Sequence, residues 1–201
     1  PHGVLAVPDP RSPAFPTNVA ATCSACHSST ERMKGYTRAD GSPVPTTQRA
    51  DYQQSVHHTA LTKRNDLSAP TCNDCHGNHG AAPPGVSAVT RVCGRCHAVF
   101  QTKFAASVHG EIFEKACIEC HGNHAVLQPS IVMLGTSKPA ICASCHEDKE
   151  DPGFVGAGRM RASLERLENG ISASTALVNR VKNAGMETGD QDLALNEVRT
   201  R

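Results

Sequence analysis

The sequence predicts a mainly α-helical fold with much irregular loop. A first domain, cored by something other than side chains, precedes a helical hairpin. Three observations lead there. The 201 residues include ten cysteines and eleven histidines. Only 3% of residues are aromatic, none is Trp, and 38% are hydrophobic, whereas a chain of this length ordinarily buries about 70% of its unfolded surface. From roughly Gly158 onward Cys and His disappear and apolar residues recur at helical spacing.

All ten cysteines fall into five C-x-x-C-H motifs: Cys23, Cys26 and His27; Cys72, Cys75 and His76; Cys93, Cys96 and His97; Cys117, Cys120 and His121; Cys142, Cys145 and His146. C-x-x-C-H is the attachment signal for c-type haem. Two thiols add to the vinyl groups on one porphyrin edge, and the adjacent His reaches the iron as proximal ligand. A disulfide scaffold gives no reason for a His after every second Cys. Tetrahedral zinc sites usually draw ligands from two separated clusters, and thioredoxin-like motifs need a βαβ frame that this pattern lacks. The reading is five covalent haems with iron. Their flat apolar plates supply the missing core, and ligation adds folding energy.

Six histidines remain: His2, His57, His58, His79, His109 and His124. His79 and His124 stand three residues after a proximal His in the two CHGNH stretches. So short a peptide does not easily reach the opposite porphyrin face, so both are expected on irons of neighbouring haems. His57 and His109 share a second repeat, DYQQSVHHTAL (51–61) and KFAASVHGEIF (103–113), whose apolar spacing suits a short helix. A packed core histidine is the plain alternative there; among five haems, distal ligation fits better. His58 stands where the second copy has Gly110 and is read as a bystander. His2, in an x-H-G context like His79, completes five distal candidates for five irons. Chain order suggests pairing each candidate with the motif that follows it. Met33 is an unneeded ligand.

The chain starts without Met or an apolar leader stretch, so a removed leader or a longer parent with a further haem upstream is expected. Loop 35–50 is rich in turn residues and reads as exposed, its arginines solvated or facing an acidic partner. In the tail, Met160, Leu164, Leu167, Ile171, Ser174, Val178 and Val181 alternate by fours and threes. Gly185 suits a stop, and Thr188 or Asp190 a cap for a second helix with Leu193 and Val198. That stripe packs either on the second helix and haem core or on another subunit. The expected organisation is a haem domain at 1–153 and a helical hairpin at 154–201, possibly truncated. No stretch is long and apolar enough to span a membrane.

The five C-x-x-C-H motifs, CHGNH and SVH(H/G) resemble the multihaem c-type cytochromes with doubled C-x-x-C-H motifs, over roughly residues 1–146. The resemblance implies a pentahaem cytochrome c domain in a periplasmic or extracellular electron carrier of bacteria or archaea. That superfamily also includes reductases and oxidoreductases of nitrogen and sulfur compounds, and cytochrome filaments. If all five irons are bis-histidine, no site is open to substrate. The expected function is then low-potential electron transfer. One alternative is a multihaem oxidoreductase, or its subunit, with one open haem; another is a filament subunit. The polypeptide is formally +1. Ten propionates and five irons bring this to about −4 oxidised and about −9 reduced. Expected partners are redox proteins, other multihaem cytochromes or copies of this chain, and not nucleic acid.

Overall fold

A computed structural model describes residues 4–38, 40–78 and 88–200. His2 and His79 lie outside the described residues. The chain divides into two units, Pro1–Gln128 and Pro129–Arg201. The described residues are mainly helical with much loop and no strand; an isolated bridge pairs Thr37 with Pro43.

The first unit contains α1 (Pro16–His27), α2 (Thr30–Met33), α3 (Gln48–Gln53), α4 (Val56–Lys63), α5 (Cys72–His76), α6 (Val89–Gly94), α7 (Ala98–Ala105), α8 (Val108–Ile112) and α9 (Cys117–His121). Most are one or two turns long, too short to persist alone in water, so caps and tertiary contacts must hold them. Pro16 opens α1 with a preset φ. Ser55 and Ser107 cap α4 and α8, accepting from the His58 amide at 3.0 Å and the Gly110 amide at 3.3 Å. Each SVH repeat is therefore a helix, a serine break and a second helix that starts just before the His. Gly77 and Gly122 follow α5 and α9 with φ of 80° and 70°, a left-handed region that favours Gly.

The second unit begins with 3-10 turns at Ile131–Met133 and Cys142–Ser144, followed by α10 (Pro152–Asn183) and α11 (Gly189–Thr200). Both turns pack on α10, and Arg161 donates to the Ile131 carbonyl at 2.8 Å. The fifth motif thus shares a unit with the long helix. Composition suggests a helix from about Gly158, but α10 starts at Pro152, because Asp151 caps it and Pro152 sits at its first turn. Beyond α10, Gly185 takes φ of 83°. Lys182 pairs with Asp192 at 3.4 Å, and Arg199 donates to Thr175 at 2.7 Å, so α10 and α11 run antiparallel. Val178 and Val181 on α10 are half-buried, whereas Met160, Leu164 and Leu167 are exposed.

Side chains alone make little core. Among the described residues the buried apolar ones are Val19, Tyr52, Leu61, Ala69 and Ala116 in the first unit and Ala140 and Ala157 in the second, four of the seven alanine. The largest fully buried side chains are Ser12 and Ser55. The polypeptide exposes 14504 Å². A compact chain of this mass exposes about 9,100 Å², and two separate globules of these sizes about 11,000 Å². The excess is surface that the polypeptide does not cover by itself. A variant with all ten cysteines replaced by Ala should therefore show no cooperative thermal transition by circular dichroism; a sharp transition would mean that the chain builds its own core.

Candidate haem-binding site

Each motif places its thiols in the same way. The first cysteine (Cys23, Cys72, Cys93, Cys117, Cys142) is half-buried and the second (Cys26, Cys75, Cys96, Cys120, Cys145) is exposed, and all ten are free thiols. Motifs 2 and 4 are themselves single-turn helices, α5 and α9. Motif 1 ends α1, motif 3 runs off the end of α6, and motif 5 begins as a 3-10 turn. The variable residues inside the motifs also contribute. Asp74 reaches back to accept from the Thr71 amide at 2.7 Å and so caps α5.

Within the first unit the motifs adjoin one another in chain order. Helix α1 packs on α5, α5 on α6, and α6 on α9. Burial, together with a hydrogen-bonded neighbour, pushes the Cys72 thiol up to about 11, the neighbour being Cys23. The Cys93 thiol is likewise pushed up to about 11, with Cys117 as its neighbour. Between these pairs, the Arg95 guanidinium of motif 3 donates to the Asp74 carbonyl of motif 2. Behind motif 1, Arg49 donates to buried Ser24 at 2.8 Å. Arg49 is thus engaged within the fold rather than solvated in the 35–50 loop.

Two histidine pairs come together across the first unit. His57 and His97 lie with ring centroids 6.3 Å apart and planes inclined by 32°. His76 and His124 are 6.0 Å apart and nearly parallel, at 13°. In each pair one ring belongs to a C-x-x-C-H motif and the other to SVH or CHGNH. Chain order suggested His57 with His76 and His124 with His146. The structure instead joins His57 to the third motif and His124 to the second. The cause is tertiary: the Val56 amide donates to the Val126 carbonyl at 2.8 Å, tying the two histidine-bearing segments together. The left-handed Gly122 lets the chain turn away after His121, carrying His124 to another motif. Burial, and next the facing His97, lower the pKa of His57. Burial, and next His76, do the same for His124, with Asp51 opposing. Both therefore favour the neutral imidazole that coordinates iron.

The donor set fits haem. Two metal–nitrogen bonds of about 2 Å each, plus half of each imidazole, place ring centroids roughly 6 Å apart. Ordinary aromatic contacts cover the same range, but they give no reason for each pair to contain a C-x-x-C-H histidine.

The other candidates are placed differently. His109 stacks on Phe113 at 5.2 Å. His58 meets Tyr52 edge-on at 5.4 Å. Among the described residues no ring contact joins His27 or His121 to a second histidine. His146 Nδ1 pairs with the Asp151 carboxylate, a partner that the sequence reading missed. The acidic run Glu147–Asp151 directly after the motif was its signal.

Residues 109–151, which hold His109, the fourth and fifth motifs, His124 and Asp151, match the family model described as the doubled CXXCH motif. This match is consistent with a multihaem c-type cytochrome family. No curated protein and no solved structure matches the chain. Cytochrome motifs of this type indicate covalently bound c-type haem and point to electron transfer. Multihaem c-type cytochromes are typically extracytoplasmic, and among the described residues no helix is long and apolar enough to cross a membrane.

Two substitutions test the local architecture. Ser55→Ala removes a fully buried cap. It should cost about 1 kcal/mol, lowering Tm by about 2–4 °C. Gly153→Ala would ordinarily strengthen a helix by up to about 1 kcal/mol. Here the added Cβ overlaps the His146 ring, so Tm should fall; a rise would show that the ring is not held there.

Proposed function

We propose that this protein is a low-potential electron carrier with five covalent c-type haems, each iron held between two histidines. The haem domain spans 1–153, a helical hairpin occupies 154–201, and the protein works in the periplasm or outside the cell. The observation that carries this reading is the approach of two imidazole pairs, His57 with His97 and His76 with His124, at ring-centroid separations of 6.3 and 6.0 Å. When bound, haem supplies one-electron redox chemistry at its iron.

The chain's own residues do the rest. The paired cysteines Cys23/Cys26, Cys72/Cys75, Cys93/Cys96, Cys117/Cys120 and Cys142/Cys145 fix each porphyrin. His27, His76, His97, His121 and His146 serve as proximal ligands. His57 and His124 serve as distal ligands to the third and second irons, and His2, His79 and His109 as the remaining distal ligands. Ligation by histidine on both sides omits the Met that raises potential. The stepwise packing of α1, α5, α6 and α9 keeps successive attachment motifs adjacent, the arrangement that short-range electron exchange requires. Redox proteins, other multihaem cytochromes or further copies of this chain are the proposed partners.

Intact mass and electron paramagnetic resonance test this. The mass should exceed that of the polypeptide by five haems, and the oxidised spectrum should be entirely low-spin. His57→Ala and His124→Ala should each convert one haem to high-spin. A high-spin haem in the unaltered protein would overturn the carrier reading in favour of an enzyme with an open iron. Unchanged spectra in both variants would remove these two histidines from the ligand set.

A further inference from the structure

We propose that Asp151 is a positioning residue for His146: its carboxylate accepts from Nδ1–H, fixes the ring so that Nε2 faces iron, and lowers the potential of the fifth haem. The inference rests on the proposed attachment of haem at Cys142 and Cys145. Asp151 uses its two oxygens for different tasks. Oδ2 meets His146 Nδ1, and Oδ1 accepts from the Gly153 amide at 3.0 Å. The second bond stops the carboxylate from rotating away, and Pro152 between them constrains the backbone. Gly153 is the only kind of residue that leaves room for the imidazole, since a Cβ there would overlap Cε1 and Nδ1. His146 is therefore seated on the first turn of α10.

The sequence sets this motif apart. Motifs 2 and 4 are followed by Gly-Asn-His, motif 5 by Glu-Asp-Lys-Glu-Asp. An anionic acceptor on the far nitrogen of a ligating imidazole raises the ligand's basicity. It stabilises the ferric state over the ferrous and so lowers the potential.

A merely structural role is the rival, because Asp151 also caps α10. Asp151→Asn separates the two, since Asn caps as well as Asp but removes the charge. Redox titration of the holoprotein should show one of the midpoint potentials shifted upward by about tenfold in the ferrous–ferric equilibrium, about 59 mV for one electron, with the others and the Tm unchanged. The shifted component should be the one missing from Cys142→Ala/Cys145→Ala. An unchanged set of potentials in folded Asp151→Asn overturns the proposal. If that variant does not fold, Asp151→Ser, which keeps a capping oxygen without charge, is read in the same way. A native mass short of one haem, with Cys142 and Cys145 unmodified, would instead defeat the attachment on which the inference rests.

Discussion

Bringing imidazoles from distant segments to ring-centroid separations of 6.3 and 6.0 Å is the constraint on which the first unit turns. His57 lies on α4 and His97 just before α7, while His76 ends α5 and His124 follows α9. Side-chain burial gives them little support, because the buried apolar set among the described residues of this unit is Val19, Tyr52, Leu61, Ala69 and Ala116. In the proposed haem-bound protein coordination would be strong and directional, whereas the hydrophobic effect is neither specific nor, with this composition, abundant. The short helices fit that division of labour. They need only aim ligands, and a serine cap or a left-handed glycine is enough to do so.

The proposed second and third haem sites are interlocked. His57 reaches the third motif from before the second, and His124 reaches the second from after the fourth. The Val56–Val126 hydrogen bond sits between these crossings. Neither pair can form without the other segment lying close by. The motifs meanwhile touch in series through Cys23 and Cys72, Arg95 and Asp74, and Cys93 and Cys117. The motifs thus follow one another locally and in sequence, while the proposed ligation is long-range and crossed.

That contrast explains what could be read from the sequence. C-x-x-C-H is a five-residue statement whose chemistry fixes its own spacing, so the thiols and adjacent histidines stand out from the sequence as one set of candidates. The SVH and CHGNH histidines stand out as candidates because they repeat, and of these His57 and His124 meet a motif histidine. Their partners do not stand out, since pairing depends on how α4 and the 122–126 segment meet, and no local pattern encodes that. In the tail, the four-and-three stripe revealed a long helix. Its start at Pro152 came from an Asp-Pro-Gly cap outside the stripe. The contact of Asp151 with His146 needed a folded helix start before it had any meaning.

The crossed topology also has a kinetic consequence. During synthesis from the N-terminus, residues 72–76 emerge well before residue 124, and residue 57 well before the third motif. On the proposed ligand assignment, the second iron must wait for most of the first unit before its sixth position is filled. Loop closure over such separations is slow compared with forming a single helical turn. A chain with haem attached before residue 124 has folded into place would carry incompletely ligated iron, open to exogenous ligands and to oxygen. Maturation of this fold would then be safest where the nascent chain is held until residue 126 has arrived.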